Sequence, residues 1–499
     1  MSRGKSELKQ WAREHMKGVE NTLFPSFTPD MKDLDEEGIR LDVRQSIRHG
    51  FFSMMCATET GLSLDEAKRM VEIAVDEASG EILVTTSLIL DSFDDNMELL
   101  MHAEKIGADG VLLGYPPTFH PEDKEEVYTV TRRFCDATDL HITLYPSPHF
   151  PFGEFHPSGF PLDILERLAD LPNVVAIKIG EPGLFADAHR LIGDRVLVGC
   201  PVERYVPLLV QGYGMQWMGA GCYEVFQSPE KPYLVDYFNL LLEGKADQAM
   251  QIYWKLAPMR IMFEQQFNQT VMTGTYNWHQ QKFYQWCVGG NGGLTRQPAM
   301  KLHSWEADQI MLGYFLIDIT PPDNLQEFFV GKMSYRRLHG EGPETVPTPA
   351  SETARPVQAD QPGLSGDPLA QALTLSRGLL ADLQQTQTDL KKVPALIRPV
   401  ARGAFKSKSG QSIEDWLQTA EDLVAVFEGA NGGASAAARG DFPGLAGRLE
   451  GLEKYYREAP AENARFVREE SEREAMVAEM ARREAEVCAL IAALKKISD

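Results

Sequence analysis

Six cysteines in 499 residues, with no CxxC among them, leave little room for a disulfide framework or a thiolate zinc site. A chain this long can build its core from apolar side chains without covalent staples, and a reduced, cytoplasmic compartment is the expected setting. Long apolar runs are also missing. No stretch approaches the ~20 residues needed to cross a bilayer. The opening MSRGKSELKQWAREHMKG is too polar for the apolar core of a signal peptide. The third shortage is of positive charge. The chain has 49 Lys and Arg against 72 Asp and Glu, a net charge of −23, which argues against a nucleic-acid surface built from clustered cations. Small anionic substrates stay open, because a pocket can be basic inside an acidic shell. Neither a membrane nor a nucleic acid is therefore expected as a partner.

What is present is a 43% hydrophobic, 24% charged composition typical of a globular protein, arranged unevenly. Residues 1–18 read as an N-terminal helical extension. From about residue 19, short apolar runs alternate with amphipathic stretches. The runs are TLFPSF (22–27), GFFSMMCA (50–57), EILVTTSLI (81–89), DGVLLGY (109–115), HITLYP (141–146), NVVAIKIG (173–180), RVLVGC (195–200) and MQWMGAG (215–221). Between them lie helical patterns such as 63–78, with Ser63 as its cap, 96–108 and 124–137. Apolar runs with little alternation are the mark of parallel strands covered on both faces. Eight such units predict an α/β fold, a (β/α)8 TIM barrel over 19–230 closed by helices at 231–339. A doubly wound sheet is the alternative.

Residues 340–368 are rich in Pro, Gly, Ser, Thr and acids and read as a flexible linker. Beyond it, 369–499 reads as a separate all-α domain of three or four helices. The charge run of its last helix is expected to be a solvated face, with a coiled coil as the alternative. No motif with chemistry stands in this part, and docking of a protein partner is the role left to it.

In a barrel of this kind, polar residues at the C-terminal ends of strands are the candidates for chemistry. The sixth run, VVAIKIGE, places Lys178 there, deep in an apolar segment where burial opposes its charge and frees the amine as a nucleophile. A lysine paired with a carboxylate, Glu181 for instance, is the plainer alternative. The fifth run, ITLYPSP, places Tyr145 at the neighbouring position, as a proton relay or as a core-packing ring. The second, MCATETG, offers Ala57 and the hydroxyls of Thr58 and Thr60 to a carboxylate.

Together these segments resemble the dihydrodipicolinate synthase / N-acetylneuraminate lyase family of class I aldolases, over about residues 20–320. The resemblance lies in LFPSFTPD, CATETGLSLDEA, GADGVLLGYPP, LYPSP, VVAIKIGE and GGLTRQP (292–298), in that order. It implies a Schiff base between Lys178 and pyruvate or a similar 2-oxo acid. Tyr145 is then the acid/base partner, and the turn of Ala57, Thr58 and Thr60, with Thr118 and Gly219, holds the substrate. It implies no cofactor, and assembly as a homo-oligomer, a dimer or tetramer. Aldol cleavage, hydration–cleavage and dehydration all use that lysine and stay open. A barrel that only binds or regulates is the alternative of another class.

The departures from the family are informative. Its second tyrosine after strand four is replaced by YPPTFHP, offering Thr118 or Phe119, and no arginine follows Pro148. The lysine-biosynthetic reaction is therefore not expected. The loop 149–161, rich in His, Phe and Pro, points to a less polar, aromatic second substrate. His120, His149 and His156 sit at irregular loop spacing and are read as surface or substrate-contacting residues rather than a metal site. GGNGG (289–293) lacks the following GK[ST] of a phosphate cradle and is read as a flexible turn.

Overall fold

The computed structural model describes residues 4–147, 150–156, 159–273, 276–297, 302–341, 368–392, 406, 409, 411–430, 442–463 and 470–498. The chain divides into two compact units, Met1–Thr345 and Val346–Asp499. Most of the expected linker, 342–367, lies outside the described residues. No helix among them is long and apolar enough to cross a membrane.

The first unit is a (β/α)8 barrel. Its strands are β1 Gly18–Leu23, β2 Ser53–Cys56, β3 Leu83–Leu88, β4 Gly110–Leu113, β5 His141–Leu144, β6 Val174–Lys178, β7 Leu197–Gly199 and β8 Trp217–Gly221. They pair in parallel in the order β7-β6-β5-β4-β3-β2-β1-β8. At the remaining seam, β7 lies beside β8 because Gly199 carries no side chain. A methyl group there would come within 2.5 Å of the buried Trp217 ring.

Seven of the apolar runs contain their strands, trimmed at the ends. The first does not. β1 begins at Gly18, not at Thr22, and the expected strand TLFPSF overlaps it only at Thr22 and Leu23. The reason is that β1 carries Glu20, Asn21 and Thr22, polar side chains that a hydrophobic scan passes over but that are buried here, Glu20 and Asn21 with hydrogen bonds. Ser53 and Thr85 donate to the Glu20 carboxyl at 3.2 and 3.1 Å, and the Ala220 N–H donates at 3.2 Å. The helices follow their sequence signals more closely. Leu64–Ala78 opens on a capping box between Ser63 and Glu66, and Lys124–Ala137 is capped by Asp123. Each satisfies N–H groups that the first helical turn leaves without partners.

The N-terminal helix Leu8–His15 seals the barrel bottom. Leu8, Trp11, Ala12 and Met16 form a buried cluster with Val175, Ala176 and Trp217, and Trp11 lies over the His141 ring at the start of β5. GGNGG proves to be a turn, as expected, but a buried and fixed one. Asn291 donates to Ser26, its N–H donates to Asp42 at 2.6 Å, and its side-chain oxygen accepts from Met333 N–H. Those groups of Asn291 are committed to the protein and are not available to a phosphate.

Another buried carboxyl stands in the turn after β8. Asn21 and Gln285 donate to Glu224, whose burial pushes it up to about 7. Between the ordinary carboxylate value of 4.5 and about 7, the folded chain holds a proton that the unfolded chain has released. This contribution to stability is therefore complete below the lower value and declines as pH rises towards the upper one. Glu224→Gln keeps an acceptor for both donors and removes the titration. Its thermal midpoint relative to the parent is expected to improve from pH 5 to pH 8. An unchanged difference across that range would refute the assignment.

In the second unit, four helices lie among the described residues, Pro368–Lys392, Ile413–Ala430, Phe442–Asn463 and Glu470–Ser498. Trp416, Leu423, Leu452, Tyr456, Leu490 and Leu494 supply much of their common core.

Candidate active site

At the C-terminal ends of the strands the barrel opens into a cavity of about 320 Å³, whose wall includes Lys178, Tyr145 and Glu59. Lys178 is the last residue of β6 and only 7% exposed. Its Nζ sits 4.7 Å from the centre of the Tyr145 ring, on the segment that leaves β5. The carboxyls whose charge it feels are Glu20, inside the barrel, and Glu59, after β2. Burial holds both above the usual carboxylate range, and Lys178 pulls each partway back. Glu181, the carboxylate considered from the sequence, does not face the lysine. It caps the next helix, accepting from the N–H groups of Gly183 and Leu184.

Gly219 has a different place from the substrate contact expected of it. It does not line the cavity; it makes room for the lysine. A methyl group at this position would come within 2.8 Å of Lys178 Cγ and 3.1 Å of Cδ. Gly219→Ala should therefore displace the amine by about an ångström with the barrel intact. A misplacement of that size costs on the order of 100-fold in turnover. Wild-type turnover in a folded Gly219→Ala protein would show that the slot is not needed.

The turn after β2 also departs from expectation. Ala57, Thr58 and Thr60 are buried, and none of them lines the cavity. The Thr58 hydroxyl donates to the Ser87 carbonyl at 2.9 Å and the Thr60 hydroxyl to the Ala57 carbonyl at 2.9 Å. With their protons committed to main-chain oxygens, neither hydroxyl can donate to a substrate carboxylate. The residue between them reaches the cavity instead. The Thr58 N–H donates to the Ser87 hydroxyl oxygen at 3.0 Å, and the Ser87 hydroxyl donates to the Glu59 carboxyl, which places a carboxyl of the protein at the turn expected to hold a substrate carboxylate. Thr118 stands outside as well, exposed and 3.4 Å from the Asp91 carbonyl. Phe119 packs edge-on against Phe93 in the core.

A second phenol is nevertheless present, from a part of the chain where none was sought. Tyr276 lines the cavity and shares a hydrogen bond with Tyr145. Burial first, and then Tyr145, push its phenol well up. It precedes the helix Trp278–Cys287, in a connector with no periodicity to mark it.

Of the three histidines, His120 is exposed, His156 is half-buried and His149 lies outside the described residues. Among the described residues no three His, Cys, Asp or Glu side chains gather as a metal-binding group.

Comparison with known proteins agrees with this architecture. Residues 15–214, which hold seven of the eight strands, match the Dihydrodipicolinate synthetase family. A 4-hydroxy-tetrahydrodipicolinate synthase of Methanothrix thermoacetophila is 28% identical over 255 residues, covering 48% of this chain and 81% of that protein. Among solved structures, dihydrodipicolinate synthase from Aquifex aeolicus aligns over 61% of this chain and 99% of its own with a TM-score of 0.52, at 18% identity. N-acetylneuraminate lyase from Fusobacterium nucleatum covers the same shares with a TM-score of 0.50, at 17% identity. At those identities the structures speak for the fold alone, and the sequence match speaks for descent. Residues 15–214 of this chain are a domain of the dihydrodipicolinate synthetase family.

Proposed function

We propose that the barrel is a Schiff-base lyase acting on a 2-oxo acid, with Lys178 as its nucleophile and Tyr145 as its proton shuttle. The observation that carries the reading is the buried lysine at the end of β6, its stem seated in the slot opened by Gly219 and its amine over a phenol on the adjacent strand end. In the neutral form, the amine attacks the keto carbon to give a carbinolamine. Tyr145 delivers the proton with which the hydroxyl leaves as water. The resulting iminium draws in the electron pair of the bond between its α and β carbons as that bond breaks; the β-hydroxyl returns a proton to the Tyr145 phenolate and departs as a carbonyl compound, an enamine is left on Lys178, and condensation is the reverse. Tyr276, hydrogen-bonded to Tyr145, extends the proton path.

The carboxylate of the 2-oxo acid meets Glu59 at the turn after β2. In its neutral form, favoured by burial, Glu59 is a donor to that carboxylate. Cleavage, hydration–cleavage and dehydration share the formation of the Schiff base and part ways after it. A carboxyl group already standing at that turn is also the one feature that favours the rival reading, a barrel that binds without catalysing.

Borohydride reduction in the presence of pyruvate separates the two. The expected result is a pyruvate-derived mass on the peptide containing Lys178. Absence of an adduct with pyruvate and with longer 2-oxo acids would leave the binding module.

A further inference from the structure

From the cavity wall we infer that the part of the substrate beyond the carbonyl carbon is uncharged and aromatic, an inference that deepens the Schiff-base reading by naming the class of the second reactant. Aromatic rings line the cavity in an unbroken file. Phe226 meets Phe263 edge-on at 5.6 Å between ring centres, Phe263 stacks on Phe267 at 5.8 Å, and Phe267 meets Tyr276 at 6.2 Å. Tyr276 stacks on Trp278 at 4.8 Å, and Trp278 reaches Phe24 at 5.4 Å. All six line the same cavity as Lys178. Through the hydrogen bond between Tyr276 and Tyr145 the middle of the file lies against the proposed reaction centre. Flat apolar groups stack edge-to-face or offset on such a surface, gaining contact beyond simple area burial.

The charges in the wall point the same way. Two arginines line it, and both are taken. Arg260, 5% exposed, is held by both oxygens of Glu203, which is 4% exposed. Arg204 is bonded to Glu264. A second substrate carboxylate would therefore find, among the described residues of the wall, no cation except Lys178 that lacks a carboxylate partner, and it would face Glu59, Glu203 and Glu264. Like charges in a partly desolvated pocket disfavour such a ligand strongly. The spacing of Arg260, Phe263, Glu264 and Phe267 places them on one face of the helix Ala257–Thr273, so one helix supplies two of the six rings and one partner of each closed ion pair.

The test is a calorimetric titration of the full chain with two probes of similar length that cannot form a Schiff base, cinnamyl alcohol and glutarate. The inference predicts a Kd for cinnamyl alcohol at least about tenfold below that for glutarate. The paired substitution Phe263→Ala and Trp278→Ala should weaken cinnamyl alcohol by about tenfold and leave glutarate unchanged. Equal affinities, or tighter binding of glutarate, in the unaltered protein would overturn it, whether or not the variant folds. Pyruvate trapping is read separately. An adduct together with a preference for glutarate sinks this inference alone. No adduct together with a preference for cinnamyl alcohol sinks the Schiff-base reading and leaves an aromatic-binding barrel.

Discussion

Lys178→Ala should abolish the borohydride-trapped pyruvate adduct and reduce turnover by roughly four orders of magnitude or more, because it removes the proposed nucleophile. The barrel is expected to survive. The lysine stem occupies a slot shared with Gly219, and emptying it costs about as much as a modest core truncation, roughly 1–3 kcal/mol. Lys178→Met fills the same slot with an unreactive side chain and separates lost chemistry from lost packing. Removing the ammonium also leaves Glu20 and Glu59 without the charge that pulls them towards ionisation. Both should then hold their protons to higher pH, so the variant loses stability relative to the parent as pH rises. Intact-mass and peptide analysis checks the chemical half of this expectation. A pyruvate adduct that persists in Lys178→Ala, or appears on another lysine, would move the reaction centre elsewhere.

The second large effect concerns stability. Lys282 and Asp42 form an ion pair at 2.7 Å with side chains 0% and 2% exposed. The pair is closed on every side: Lys282 also donates to Ser26 at 3.0 Å, and Asp42 accepts from the Asn291 N–H. It joins the helix Glu36–Arg48 to the helix Trp278–Cys287. Removing one partner leaves the other charge buried and uncompensated, a loss of about 3–5 kcal/mol where such pairs have been broken. Lys282→Met should lower the thermal midpoint of the barrel by that equivalent, and adding Asp42→Asn should restore part of it. A cost below about 1 kcal/mol for the single substitution would show that water or rearrangement reaches the pair. The pair bears on function too. Trp278 and Gln281 on the same helix line the cavity, so loosening this anchor should raise the Kd of cinnamyl alcohol before it unfolds the barrel.

How much was legible beforehand depends on what kind of signal each residue leaves. Strands covered on both faces announce themselves by composition, and seven of the eight could be read that way. β1 could not, because its buried residues are polar and are satisfied by partners as far along the chain as Ala220. Lys178 and Tyr145 were legible because a charged or phenolic side chain ending an apolar run is conspicuous against its neighbours. Glu59 was visible in CATETG, yet nothing local said that it, rather than the threonines beside it, would reach the cavity. That outcome depends on Ser87 and Ala57 taking the hydroxyl protons. Of the loop 149–161, from which an aromatic second substrate was expected, Phe150 lines the cavity. Phe152 and Phe160 pack around Tyr115 in the core, and most of the aromatic wall comes from other segments, among them the helix Ala257–Thr273 and Tyr276 beyond it.

The sequence by itself pointed to eight βα units, to the barrel rather than its doubly wound alternative, and to a lysine beside a phenol at adjacent strand ends, because each rests on local periodicity or on a residue out of keeping with its run. Tertiary structure alone decided which groups meet in the cavity: Tyr276 against Tyr145, Glu59 on the Ser87 hydroxyl, Glu203 closing off Arg260, and six rings in file. Those pairings join residues far apart in the chain, in some cases by more than a hundred positions, and no local pattern encodes a partner that only the closing of the barrel brings within reach.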